Sequence, residues 1–205
     1  KAQEANLKMK FDFSNVTGTS VKDDVSGIAA SLVNNAKVMS MGKYKVLDLG
    51  NGTGYLNMTA AAGKVFSQND DFSISVYYRV NEEASLSGNG FFLWSFATTE
   101  NTTATAGKYS AYRLNAQRFA SSNGGYQNET GMEMGTASDK GRWIHVAYTE
   151  KGGKGVLYID GKAVKTKTGM HKNSTNFGSI AINHCWLGRA PFTADKYLTQ
   201  TLITD

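Results

Sequence analysis

The chain has 205 residues, of which 40% are hydrophobic and 19% charged, a composition that folds around its own core and is not that of a disordered segment. No apolar run comes near the roughly 20 residues that a helical bilayer span needs, so no membrane span is expected. The formal charge is +5, but the lysines of the first half stand singly and the densest run, Lys162–Lys167, lies among turns. Nucleic acid is therefore not expected as a partner, and the lysines read as solvated edges.

Along the chain, "AASLVNNAKVMSM" (29–41) carries a weak helical pattern. "KVLDLGNGTGYL" (45–56) is the strongest motif: an apolar run, an Asp and a glycine-rich turn, as many nucleotide or S-adenosylmethionine sites begin. Such a loop needs a parallel strand before it and, after it, a helix whose N-terminus faces the cofactor. "LNMTAAAGKVFSQ" suits a short helix, but the rest of the chain does not alternate strand with helix. The acids Glu82 and Glu83 lie about 30 residues past the turn, not the roughly 20 of the dinucleotide fingerprint. The spacing predicts instead that Val46–Leu49 and Tyr55–Met58 are antiparallel strands around a turn at Asn51–Gly54. A methyltransferase-like enzyme stands as the remote alternative.

Period-two alternation dominates from residue 71 onwards. In "DFSISVYYRV", Phe72, Ile74, Val76, Tyr78 and Val80 share one face. "GFFLWSFAT" is apolar on both faces, as in a central strand. "YSAYRLNAQRFA" alternates again, with Tyr109, Arg113, Asn115, Gln117 and Phe119 on one side and Tyr112, Leu114 and Ala116 on the other. In "GRWIHVAYTE", Trp143, His145 and Ala147 share a side, and Trp143 is predicted to be buried. "KGGK" and the Asp-Gly of "IDGKAV" are hairpin turns. The single Cys185, in "INHCWLG", reads as a small buried hydrophobe. The three His residues have no metal-ligand spacing. Asn-x-Ser/Thr triplets at Asn15, Asn51, Asn57, Asn101, Asn128 and Asn173 are expected to arise mostly by chance. Short strands, regular turns and little helix predict an all-β fold, an antiparallel β-sandwich, as one domain over residues 1–205.

In order, "LKMKFDFSN … VKDDVSG", "LDLGNGTGYLNM", "DFSISVYYRV", "GRWIHVAYT", "GVLYIDGKAV" and "WLGRAPF … LITD" resemble a laminin-G-like domain of the concanavalin A-like lectin/glucanase superfamily. The wording is similar to such domains in Bacteroides-type polysaccharide-degrading proteins, often beside a glycoside hydrolase domain. The resemblance implies a jelly roll whose last strand is missing from these residues or supplied by another segment. It also implies a secreted, periplasmic or cell-surface location. Glucanases of the superfamily carry Glu-x-Asp-x-x-Glu on one strand, placing carboxylates about 5–5.5 Å apart. The acidic clusters here lack that spacing, so these residues are expected to be non-catalytic. The resemblance further implies a structural calcium at Asp24, in the "DVSG" turn, and Asp205, since calcium takes hard oxygen ligands.

Binding is the expected role, with an oligosaccharide or polysaccharide as partner. Arg113, Asn115 and Gln117 offer planar donors to hydroxyl groups. Tyr126, in a Gly-rich loop, offers a ring to the apolar face of a sugar. The competing expectation is a structural spacer that packs on a neighbouring catalytic domain and binds no sugar.

Overall fold

The computed structural model describes residues 4–99 and 107–205. Among them sixteen strands build two antiparallel sheets. The nine-stranded sheet runs, edge to edge, β1 (Val16–Thr17), β2 (Ser20–Lys22), β3 (Ala29–Val33), β6 (Tyr55–Asn57), β15 (His184–Leu187), β8 (Phe92–Ala97), β9 (Tyr109–Arg113), β10 (Arg118–Ser122), β11 (Glu129–Glu133). The seven-stranded sheet runs β14 (Lys162–Lys167), β13 (Lys154–Ile159), β12 (Ile144–Lys151), β7 (Phe72–Val80), β16 (Thr201–Thr204), β5 (Tyr44–Asp48), β4 (Lys37–Met41). The expected β-sandwich is thus the architecture, and the weakly helical stretch 29–41 forms β3 and β4.

The core lies where alternation put it. Val76, Tyr78 and Val80 of β7 are buried and Ser73, Ser75, Tyr77 and Arg79 are exposed. β8 is buried along its whole length. The two layers meet through stacked rings, Phe119 on Tyr148 at 3.5 Å, and burying each such ring stabilises by roughly 1.5–3 kcal/mol. Helix α1 (Thr59–Ser67) closes the sandwich with Phe66 stacked on Phe96 at 4.2 Å. Helix α2 is the short Asn173–Phe177. Both hairpin turns are as expected: Gly152-Gly153 and Asp160-Gly161 link their strands with positive φ at both positions, the geometry of a two-residue loop.

Two expectations are corrected. Strands β5 and β6 do flank a turn, but they are not partners: β5 pairs with β4 and β16, and β6 with β3 and β15. The glycine-rich turn carries the chain from one layer to the other, because alternation reports burial and not the sheet that a strand joins. Its glycines serve packing. A Cβ on Gly54 would lie 2.2 Å from the Leu49 carbonyl oxygen and 2.8 Å from the Ala36 nitrogen. Asp48 caps this turn, its carboxylate accepting the Gly50 N–H at 2.9 Å. Although α1 does follow β6, all-antiparallel strand pairing excludes the methyltransferase alternative. Secondly, Trp143 is not buried. Strand β12 begins one residue later and buries Ile144, Val146 and Tyr148, so Trp143 falls on the opposite side, half-exposed.

Candidate functional site

The run "YSAYRLNAQRFA" is a hairpin and not one strand: β9 ends at Arg113 and β10 starts at Arg118. Arg113, Asn115 and Gln117 therefore form no row. The Asn115 amide donates to the Gly88 carbonyl at 2.7 Å, and the Gln117 amide donates to Thr136 and Ala137 carbonyls at 3.1 and 3.3 Å. Both amides tie loops together. Arg113 is half-buried near Asp195, whose carboxyl is pushed up by burial and pulled back by the Arg113 charge. Phe119 points into the core. Tyr126 does carry an exposed ring, 56% accessible, in a short turn after β10. The register places Ser122 beside Tyr109, so Tyr126 sits at the end of the hairpin away from Arg113, roughly 14 Å along the strands at about 3.4 Å per residue.

The outer face of the nine-stranded sheet is largely sealed by the chain itself. Phe192 packs on Tyr109 and Phe92, with ring centroids 5.3 and 6.1 Å apart. The Arg189 guanidinium lies 4.1 Å over Trp186 and 4.9 Å over Tyr55, and donates to the Tyr55 hydroxyl at 3.1 Å. Arg118 bridges Glu129 and Glu133 at 2.9 and 3.2 Å, and the Tyr109 hydroxyl donates to Glu129. The depression between Arg113 and Glu129 encloses about 10 Å³, room for a single water.

The outer face of the seven-stranded sheet is open and carries rings. Tyr77, 44% accessible, packs at a tilt on its cross-strand partner His145 with centroids 4.5 Å apart. Trp143 continues the His145 side of β12, and Tyr158 of β13 lies opposite Ala147. Ala147 in turn faces Ser75 of β7. Two small residues thus form a floor, with half-exposed rings around it. A corner of this face is held by Asp160, which accepts from Arg142 at 2.9 Å and from the His145 N–H at 3.1 Å. These bonds, the Arg142 contact foremost, hold the Asp160 carboxyl below the usual range. Sequence reasoning misses this site because it places Trp143 in the core. The exposed residues of "DFSISVYYRV" are its one legible signal.

The Asp24 carboxylate is exposed and accepts the Asn15 amide at 3.0 Å. Asp205 pairs with Lys10 at 2.9 Å. It is Asp23, fully buried, that caps the "DVSG" turn through the Val25 and Ser26 N–H groups. Among the described residues no group of three or more His, Cys, Asp or Glu is able to hold a metal ion. Cys185 is fully buried, and burial pushes its thiol up to about 12. Of the glycosylation triplets, Asn173 is buried and Asn101 lies outside the described residues.

A two-layer antiparallel sandwich with one open ring-bearing face matches known folds. A family model, Laminin_G_3, described as the concanavalin A-like lectin/glucanases superfamily, matches residues 50–200. The chain belongs to this superfamily. No curated protein matches the chain in sequence. Domain 4 of AbnA, a GH43 extracellular arabinanase from Geobacillus stearothermophilus, in complex with arabinotriose, is similar in structure with a TM-score of 0.68 at 13% identity, covering 97% of this chain and 92% of that one. The Trypanosoma rangeli sialidase in complex with 2,3-difluorosialic acid gives 0.63 at 16% identity and covers 98% of this chain, which spans 30% of that protein. The Ruminococcus gnavus IT-sialidase CBM40 bound to α2,3-sialyllactose gives 0.54 at 12%, covering 77% and 87%. At such identities the likeness is one of fold. Among the described residues no helix is long and apolar enough to cross a membrane.

Proposed function

We propose that this chain is a non-catalytic carbohydrate-binding module of a secreted or surface glycoside-hydrolase system, contacting glycan on the open face of the seven-stranded sheet. The observation that carries the reading is the group Trp143, His145, Tyr77 and Tyr158 around the small residues Ala147 and Ser75. Rings fixed on neighbouring strands meet the apolar C–H face of a sugar with little loss of side-chain freedom. The sandwich domains of similar fold that were solved with arabinotriose and sialyllactose support it. Binding on so open and wet a surface is weak, on the order of tens of micromolar to millimolar, since sugar–water hydrogen bonds are exchanged for protein ones.

Isothermal titration with arabino-oligosaccharides and sialyllactose tests this. Tyr77→Ala and Trp143→Ala are each expected to weaken binding about tenfold, or about 1.4 kcal/mol, with little change in Tm for Tyr77→Ala. Tyr126→Ala reports whether the second face shares in the contact. If no oligosaccharide binds, or if the two ring variants bind like the parent, the chain is a spacer that packs on a neighbouring domain.

A further inference from the structure

We propose that the β12–β14 edge of the seven-stranded sheet is a docking surface for acidic polysaccharide, carboxylated or sulfated. The inference rests on the glycan-binding reading above and names its polymer class.

Residues 151–172 hold six lysines and one acid, Asp160, so they carry the whole +5 of the chain; the remaining residues balance, sixteen cations against sixteen acids. Folding gathers these lysines. Lys151 and Lys154 face each other across the β12–β13 hairpin on the side of Ala147 and Tyr158, while Lys167, Lys165 and Lys162, opposite Gly155, Leu157 and Ile159, project from the other side of edge strand β14, so the lysines flank this edge on both sides. Lys172 lies against Gly153 at the hairpin tip. All six are exposed, and none forms an ion pair among the described residues. The single acid within the stretch is engaged by Arg142. Asp70 and Asp71 border the tip, with Asp70 bonded to Ser174 and Asp71 to the Gly152 N–H; the Asp70 charge offsets part of that of Lys172, which leaves the five lysines of the strands to carry the patch.

Charge on an edge strand keeps it from pairing with other chains, which accounts for lysines on β14. It does not account for Lys151 opposite Lys154, because like charges directly across a ladder destabilise it. Such a cluster is relieved by a polyanion, which gains by releasing its own counterions. Lysines, as point charges on flexible stems, suit dispersed charge better than a fixed bidentate fork does. The choice of polysaccharide over other polyanions follows from position: Lys151 and Lys154 share the side of β12 and β13 that bears His145 and Tyr158, so one chain lying on the rings reaches these two lysines and continues over the edge to β14.

The test compares polygalacturonate, a sulfated polysaccharide, neutral arabinan and duplex DNA at about 50 and about 300 mM salt, a range over which exposed charges become strongly screened. Expected is tighter binding of one or both acidic polymers than of arabinan, weakened at least tenfold by the higher salt. A Lys162→Gln/Lys165→Gln/Lys167→Gln variant, and independently Lys151→Gln/Lys154→Gln, should lose most of it while keeping Tyr77-dependent binding of neutral oligosaccharide. The two polymers separate carboxylate from sulfate as the preferred group. Equal affinity for acidic and neutral polymers, unchanged binding by both variants, or DNA binding as tight as either polysaccharide would overturn the proposal. Loss of neutral binding alone would instead strike at the ring platform.

Discussion

Glu150 is a carboxyl where none is comfortable. It is 3% accessible, its Oε1 accepts the Tyr148 hydroxyl at 2.6 Å, and its Oε2 has no partner. Burial pushes its carboxyl up, the Tyr148 bond opposes this, and the charges of Asp70 and Asp71 add to the rise. The folded chain thus keeps this proton to a higher pH than the unfolded chain does. Stability therefore falls as pH climbs from the ordinary carboxylate value towards the raised one, and the deficit persists above it. Asp12 and Asp160, held low by their hydrogen bonds, act with the opposite sign, but equally in a Glu150 variant; Asp70 is repelled by the Glu150 charge, and removing that charge adds to the same gain. Glu150→Gln should gain in Tm relative to the parent as pH rises from about 4 towards neutrality; a constant gap between the two melting curves would contradict the account. The tryptophans make a second contrast. Trp94 is 1% accessible and stacks on Tyr112 at 4.9 Å, so Trp94→Ala should lose roughly 3–5 kcal/mol in chemical denaturation. Trp143→Ala should lose clearly less, since its ring is half-exposed. Equal losses would return Trp143 to the core and remove it from the ring platform.

Within single elements, the sequence is readable wherever alternation is long. Phe72 to Val80 and the all-buried Phe92–Ala97 fall as predicted, as do the two-residue turns at Gly152 and Asp160. It misleads where a short apolar run has two phases open to it. "RWIHVAY" alternates equally well from Trp143 or from Ile144, and only the ladder to β7, pairing Ile144 with Tyr78, chooses. "YSAYRLNAQRFA" hides a turn because no Gly or Pro marks it; Gln117 supplies the positive φ of 47°. The surface rings are invisible for the same reason that the lysine edge is: both depend on which strands become neighbours. The glycine-rich turn offers a test at this scale. Gly54→Ala must push backbone apart and should destabilise by roughly 1–3 kcal/mol or more. At Gly52 an added Cβ meets nothing closer than the Asn35 side chain at 3.4 Å, so Gly52→Ala should stay within about 0.5 kcal/mol. Equal effects at the two positions would show that the turn is not held by the crossing between layers.

Across the whole molecule, division of labour follows from what covers each sheet. One outer face is closed by residues 189–192 on Trp186, Tyr55, Tyr109 and Phe92, and the other is left open. The order in which strands interleave has a separate consequence, for how the molecule comes into being. Strand β15 lies between β6 and β8, and β16 lies between β5 and β7, so residues 184–204 slot in between neighbours that all come from residues 44–97. Neither layer can zip up from its own end during synthesis. The early strands must wait, one edge unpaired, until residues 184–204 arrive, and closing loops of roughly a hundred residues or more delays the reward of each contact. Folding in the range of milliseconds to seconds follows from that topology, and so does a dependence on whatever shields the waiting edges from one another.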